Sequence, residues 1–226
     1  MYTFKETVQS ASGDRFGLYV SRPAKPNGRA VVVLQEIFGV NSAVRALTDQ
    51  FAEVGYLAVA PDLFWRFGPG IELAYSRADT LKAMDLMKDY KVADGLSDVL
   101  ATVDYLREQP GISKVGSVGL CLGGLLSYLS AVDGGVDGAV CFYATGIVKE
   151  LGQLRNIEAP LSVHYGGADR FIPPDNVDAV RAAIVGDAKG DVFVYPGAEH
   201  GFYTRGVEAD RRVAHQRVLA FLESNL

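Results

Sequence analysis

Apolar residues fall along this chain in short runs separated by turn residues and by longer stretches of mixed character. Phe4 to Gln9 and Phe16 to Val20 are strand-like, and Ser12-Gly13-Asp14 supplies a turn between them, so the chain should open on a β-ribbon. Pro23 to Gly28 reads as a loop. Ala30-Val31-Val32-Val33-Leu34 is an unbroken apolar, mostly β-branched run, suited to a strand covered on both faces. Asn41 or Ser42 can cap a helix that ends near Gly55. Tyr56 to Ala60 is the next strand, stopped by Pro61.

Residues 65 to 90 contain a Gly/Pro loop and then a mixed helix, and a second helix runs from about Lys91 to Gln109. Val115 to Leu120 predicts a strand and Leu122 to Val132 a helix. Ala139 to Tyr143, Leu161 to Tyr165 and Val192 to Tyr195 predict three more strands. Helices fit Asp175 to Val185 and Glu208 to Asn225. No internal repeat or low-complexity segment interrupts the series. Strand and helix alternate, which argues for an α/β domain with a mostly parallel sheet and helices on both faces. The length of 226 residues suits one such domain, 1–226, better than two small ones. Ligands in these folds sit at the carboxyl ends of the strands, so candidate chemistry is sought there.

Composition narrows the function classes. The chain is 49% hydrophobic and 22% charged, with net charge −5, and it has no run of basic residues, so nucleic acid is not an expected partner. The N-terminus lacks a basic stretch leading into an apolar one, so no signal peptide is expected. No stretch approaches the ~18 apolar residues of a membrane span. The two cysteines, Cys121 and Cys141, form neither a disulfide framework nor a metal-ligand spacing. A reduced, cytoplasmic setting is the expectation that follows.

Three strand ends carry chemistry. Gly119-Leu120-Cys121-Leu122-Gly123-Gly124 joins a strand to a helix in the form of a nucleophile elbow, with Cys where Ser is usual. The glycines leave room for a strained turn, and the helix N-terminus favours a thiolate. The bland alternative is a buried Cys beside a packing glycine. Tyr165-Gly166-Gly167-Ala168-Asp169 brings a strand through a turn to an acid that could hold an imidazole in one tautomer. Taken alone, an Asp after two glycines is an ordinary turn residue. Tyr195-Pro196-Gly197-Ala198-Glu199-His200 places a histidine after the last strand. Of the three histidines, His164 reads as core and His215 as a surface residue of a helix, so His200 is the candidate base. The order Cys121, Asp169, His200 matches that of α/β-hydrolases. The backbone N–H of Leu122 is one candidate oxyanion donor; the second is expected from the loop after Leu34, where Ile37 sits.

Gln35-Glu36-Ile37-Phe38-Gly39-Val40-Asn41, the Cys elbow, Gly166-Gly167-Ala168-Asp169 and Glu199-His200-Gly201-Phe202 together resemble the dienelactone hydrolase (carboxymethylenebutenolidase) family nearly end to end. The Glu36 motif and the Cys in the elbow are the most specific parts. The resemblance implies a single α/β-hydrolase domain, monomeric, without cofactor or metal. It implies a small carboxylate-bearing lactone as substrate, opened through an acyl-enzyme to a dicarboxylate such as maleylacetate. Glu36 would become the base for a resting, neutral Cys121 thiol, a form less exposed to oxidation. Arg205 most nearly matches one substrate-binding arginine, at a spacing one residue longer. Arg77 is the choice for the other, with Lys82 as rival. Tyr143 matches a tyrosine near the site, and Cys141 reads as core. Two other functions compete: a general carboxylesterase or thioesterase of the same fold, and a non-catalytic relative that binds a small ligand or senses redox state through Cys121.

Overall fold

The computed structural model describes residues 1–187 and 189–226. Its backbone divides into two compact units, Met1–Val115 and Gly116–Leu226.

The first unit opens on β1 (Tyr2–Gln9) and β2 (Arg15–Arg22), an antiparallel ribbon in which Phe4 pairs with Val20 and Val8 with Phe16. Both strands run longer than the apolar pattern alone suggests, because backbone pairing continues past the last apolar position. β3 (Arg29–Leu34) and β4 (Leu57–Pro61) are parallel, and β4 also pairs antiparallel with β2, giving the order β1-β2-β4-β3. Every residue of β4 is buried, as is β3 beyond Arg29, which explains their unbroken apolar runs. Pro61 closes β4 from inside the strand: its partner there is Leu18. As the last residue it needs no ladder donor.

Helix α1 (Ser42–Glu53) starts where Asn41 accepts from the N–H groups of Ala43 and Val44, so Asn41 and not Ser42 is the cap. Helix α2 (Arg77–Asp89) is capped by Ser76 and buries only Ala83. Helix α3 (Val92–Arg107) packs Val99, Val103 and Leu106 inward and carries Asp98 with them. A buried carboxylate must be bonded. Asp98 accepts from the indole N–H of Trp65 at 2.9 Å and from both terminal nitrogens of Arg66, whose guanidinium also lies over the Trp65 ring. That cluster ties the loop after β4 to α3.

The second unit is a regular α/β arrangement. β5 (Lys114–Leu120), β6 (Gly138–Phe142), β7 (Leu161–Gly166) and β8 (Gly190–Tyr195) are parallel in that order. Helix α4 (Leu122–Val132) follows β5 directly. After β6 come a short helix α5 (Ile147–Glu150) and a 3-10 turn (Leu151–Asn156), which no periodicity marks in the sequence. Helix α6 (Pro174–Gly186) precedes β8; a one-turn α7 (Phe202–Arg205) and α8 (Glu208–Asn225) end the chain.

Two histidines serve this unit's packing. His164, in β7, is fully buried, stacks on Phe142, and bonds Ser162 Oγ at 2.9 Å and Tyr195 Oη at 3.0 Å. Burial holds it neutral, with a pKa lowered to about 3. His215 departs from its expected surface position. It is half-buried, and its Nδ1 lies 2.8 Å from the Tyr203 hydroxyl, because α8 turns that face inward against α7.

Removing the Asp98 carboxylate strands a charge and an indole donor. The variant Asp98→Ala is expected to lower unfolding free energy by about 3 kcal/mol, read from urea denaturation. A loss below about 0.5 kcal/mol would mean that water replaces the carboxylate without penalty.

Candidate active site

The residues of β5 to β8 set four successive strand ends side by side. Leu120 pairs with Phe142, and Phe142 with His164, so the residues just beyond them are neighbours in space. Cys121 follows β5 with φ 54° and ψ −109°, and Tyr143 follows β6 with φ 38°. Among the described residues these are the only non-glycines with positive φ. Backbone strain at two adjacent strand ends marks a place where side chains are held against their own preference. The strain is held by pairing: Cys121 N–H donates to Phe142 O at 3.0 Å, and Tyr143 N–H to His164 O at 2.8 Å.

The elbow can form only with glycine behind it. A Cβ at Gly119 would lie 1.9 Å from Gly123 O. Cys121 caps α4, and Leu122 is its first residue, so the Leu122 N–H belongs to the first turn, whose donors have no partner within the helix. Such a donor beside the nucleophile can bind an oxyanion.

Asp169 and His200 come from the next two strand ends. The β7 and β8 loops approach closely: a Cβ at Gly166 would lie 2.3 Å from Ala198 O, and Ala168 N–H donates to that oxygen at 2.9 Å. Asp169 Oδ2 then accepts from His200 Nδ1 at 2.7 Å, with the Asp169 side chain fully buried and His200 mostly so. Its other oxygen accepts the Phe171 N–H at 2.9 Å. With Nδ1 taken, Nε2 is the nitrogen left for Cys121, whose interaction with His200 is among the causes that raise the imidazole pKa. Burial pulls the imidazole pKa down. The hydrogen bonds and charges of Asp169 and Cys121 outweigh it and raise His200 to about 9. With these partners the imidazole favours its protonated form.

Around this triad the second unit adds aromatic walls. The buried Tyr143 ring is 4.9 Å from the His200 ring, and Phe171 meets His200 edge-on at 5.1 Å. The Arg205 guanidinium lies over Gly201, where it occupies the space a Cβ would need. Cys141 is fully buried, and burial raises its thiol pKa to about 12. It packs and does not react.

In the first unit, Glu36 is 1% exposed in the turn after β3 and accepts from the Tyr75 hydroxyl at 2.8 Å. Tyr75 in turn packs edge-on against Phe38. Ile37, half-buried, is the next residue of that turn. Arg77 is exposed as the first residue of α2, and the rival Lys82 pairs with Asp79 on the same helix. Sequence reasoning missed Phe171 and Tyr75. Phe171, two residues past Asp169, could have been noticed as an aromatic in a turn. Nothing in the Gly/Pro loop singles out Tyr75. Among the described residues no cluster of His, Cys, Asp and Glu could hold a metal ion.

Known proteins resemble this chain in sequence and in fold. A sequence model of the Dienelactone hydrolase family matches residues 16–225. The chain is 35% identical to a carboxymethylenebutenolidase of Pseudomonas putida, over 98% of this chain and 97% of that protein. It is 33% identical to a putative carboxymethylenebutenolidase of Escherichia coli K12, over 85% and 74% respectively. Among solved structures it superimposes on a putative dienelactone hydrolase from Klebsiella pneumoniae with a TM-score of 0.81, 26% identity and 98% coverage of both chains. An alpha-beta serine hydrolase homologue from Coxiella burnetii, 16% identical, gives a TM-score of 0.70 over 96% of this chain and 98% of that one, which is likeness of fold. The fold is that of the α/β-hydrolases.

The raised His200 pKa links the site to stability. A group protonated more readily folded (about 9) than unfolded (about 6.5) adds stability that is complete below pH 6.5 and fades as pH rises through 9. The stability gap between wild type and His200→Gln should therefore shrink by up to about 3 kcal/mol between about pH 6 and about pH 9.5, followed by thermal or urea unfolding across that range. A gap constant with pH would show that His200 titrates near its ordinary value.

Proposed function

The chain belongs to the dienelactone hydrolase family and is a hydrolase of ester or lactone bonds, and on that premise we propose that it opens a small carboxylate-bearing lactone of the dienelactone type. The observation that carries the proposal is the Cys121–His200–Asp169 constellation, with its 2.7 Å Asp169–His200 bond behind a strained cysteine. We take both units as one catalytic domain, since the family match runs across both.

In this reading Cys121 Sγ attacks the lactone carbonyl carbon. The carbonyl oxygen, now an oxyanion, accepts from the Leu122 N–H, with the Ile37 N–H as second donor. Collapse breaks the ring C–O bond and leaves a thioester, and His200 gives its proton to the released enolate oxygen. His200 is kept as the proton donor for the leaving oxygen, so a separate base takes the thiol proton first. Glu36 fills that role: it is a buried carboxylate, and the family resemblance points to it. Once the sulfur is acylated, the Cys121 partner that raises His200 is gone. The imidazole, neutral after giving up its proton, can deprotonate the water that hydrolyses the thioester. The departing thiolate takes back the proton held by Glu36, and the products are the dicarboxylate and the free thiol. These steps use no metal or cofactor.

Arg205, folded over Gly201, would with Arg77 hold the substrate carboxylate, and Tyr143 would wall the site. Both cysteines are free thiols, which together with the family resemblance supports a monomeric enzyme of the reducing cytoplasm. Among the described residues no helix is long and apolar enough to cross a membrane.

The reading is tested by hydrolysis of cis- and trans-dienelactone, followed by absorbance. Wild type is expected to turn over at least one isomer, and Cys121→Ala to lose about a thousandfold or more in kcat/KM. A wild type inert toward both isomers yet active on neutral esters would replace this substrate by a general carboxylesterase function. Cys121→Ser should lose about a hundredfold or more, because a hydroxyl is far harder to ionise than a thiol of pKa about 8.5. Turnover by the Ser variant close to wild type would show that the thiol has no special role.

A further inference from the structure

The loop that supplies Asp169 also places two side chains at the mouth of the triad that have no role in the chemistry above. Phe171 is 57% exposed, an unusual exposure for a phenylalanine in contact with a mostly buried imidazole. Its place is not accidental. Its N–H is bound to Asp169 Oδ1 at 2.9 Å, and its ring meets His200 at an interplanar angle of 76°. The guanidinium of Arg170 lies over that ring, with Cζ 5.1 Å from its centroid. Arg170 is exposed, and among the described residues no carboxylate pairs with it.

We propose that Arg170, braced on Phe171, is a specificity-determining residue that draws carboxylate-bearing substrates onto Cys121. The proposal rests on the functional reading above and narrows its substrate class to anions recognised from the Asp169 loop, by a residue that reading does not use. The Arg170 guanidinium lies 5.1 Å from the Phe171 ring and that ring 5.1 Å from the His200 ring, so the cation stands within reach of a small dicarboxylic acyl chain held at the triad. A guanidinium seated on an aromatic face keeps its outward N–H groups available for a carboxylate, and its position is already restricted before substrate arrives. The need for such a cation follows from the sequence. The chain carries net charge −5, which repels an anionic substrate unless a local positive field offsets it at the site.

The test uses two alkylating reagents of nearly equal size, iodoacetate and iodoacetamide. In both, Cys121 sulfur forms the bond to the methylene carbon and iodide leaves; only the carboxylate differs from the neutral amide. Cys141 is fully buried and does not compete. Mass spectrometry of the intact protein gives the ratio of the two rates. Arg170→Gln should lower the iodoacetate-to-iodoacetamide ratio about fivefold, Arg170→Lys should restore most of it, and the wild-type preference should weaken as salt rises. A ratio unchanged in Arg170→Gln overturns the proposal, including the case in which both rates fall together through structural damage. Dienelactone hydrolysis by the same proteins separates the two readings. A shifted ratio in an enzyme that leaves dienelactone intact removes the lactone function and keeps the anion selectivity. An unchanged ratio in an active hydrolase does the reverse.

Discussion

A carboxylate with no solvent exposure must have its lone pairs filled, and in the second unit Asp169 is such a group. Its two oxygens take the His200 Nδ1 proton and the Phe171 N–H. Those two bonds fix the imidazole tautomer, leave Nε2 for Cys121, help to raise the His200 pKa, and set Phe171 against the ring. Without them the cysteine would be a strained residue at the end of a strand with no partner to use the strain.

What allows the Asp169–His200 bond is backbone proximity. The β7 and β8 loops run so close that no side chain fits at Gly166, and the nucleophile turn is similarly closed at Gly119. Parallel pairing from β5 to β8 then delivers Cys121, Tyr143, Asp169 and His200 from four consecutive strand ends. The buried polar relay from Ser162 through His164 to Tyr195 lies behind them. Its neutral histidine costs no desolvated charge and locks the two strands that carry the acid and the base.

The first unit is built with different means. Its Glu36 is held at a strand-end turn by Tyr75 from a loop, and that loop is tied down through Asp98, Arg66 and Trp65. Helix α2, which buries one residue, has little packing of its own, so capping by Ser76 rather than core burial defines its start.

The sequence by itself was enough for the alternation of elements, for the bounds of α4 and α8, and for the identity of Cys121, Asp169 and His200 as strand-end residues. These are local facts, written in apolar runs and in glycines that must precede tight turns. It was weakest where neighbours decide. Tyr143 reads as the last residue of a strand, yet leaves it with positive φ because its N–H is drawn to His164 O. His215 reads as exposed, yet meets Tyr203 across a helix junction that no periodicity reports. Phe171 and Tyr75 gain their meaning only from what they touch, His200 and Glu36. Residue type and spacing determined which groups could do chemistry; the distances between loops distant in sequence, set by strand pairing and close backbone approach, decided which of them meet.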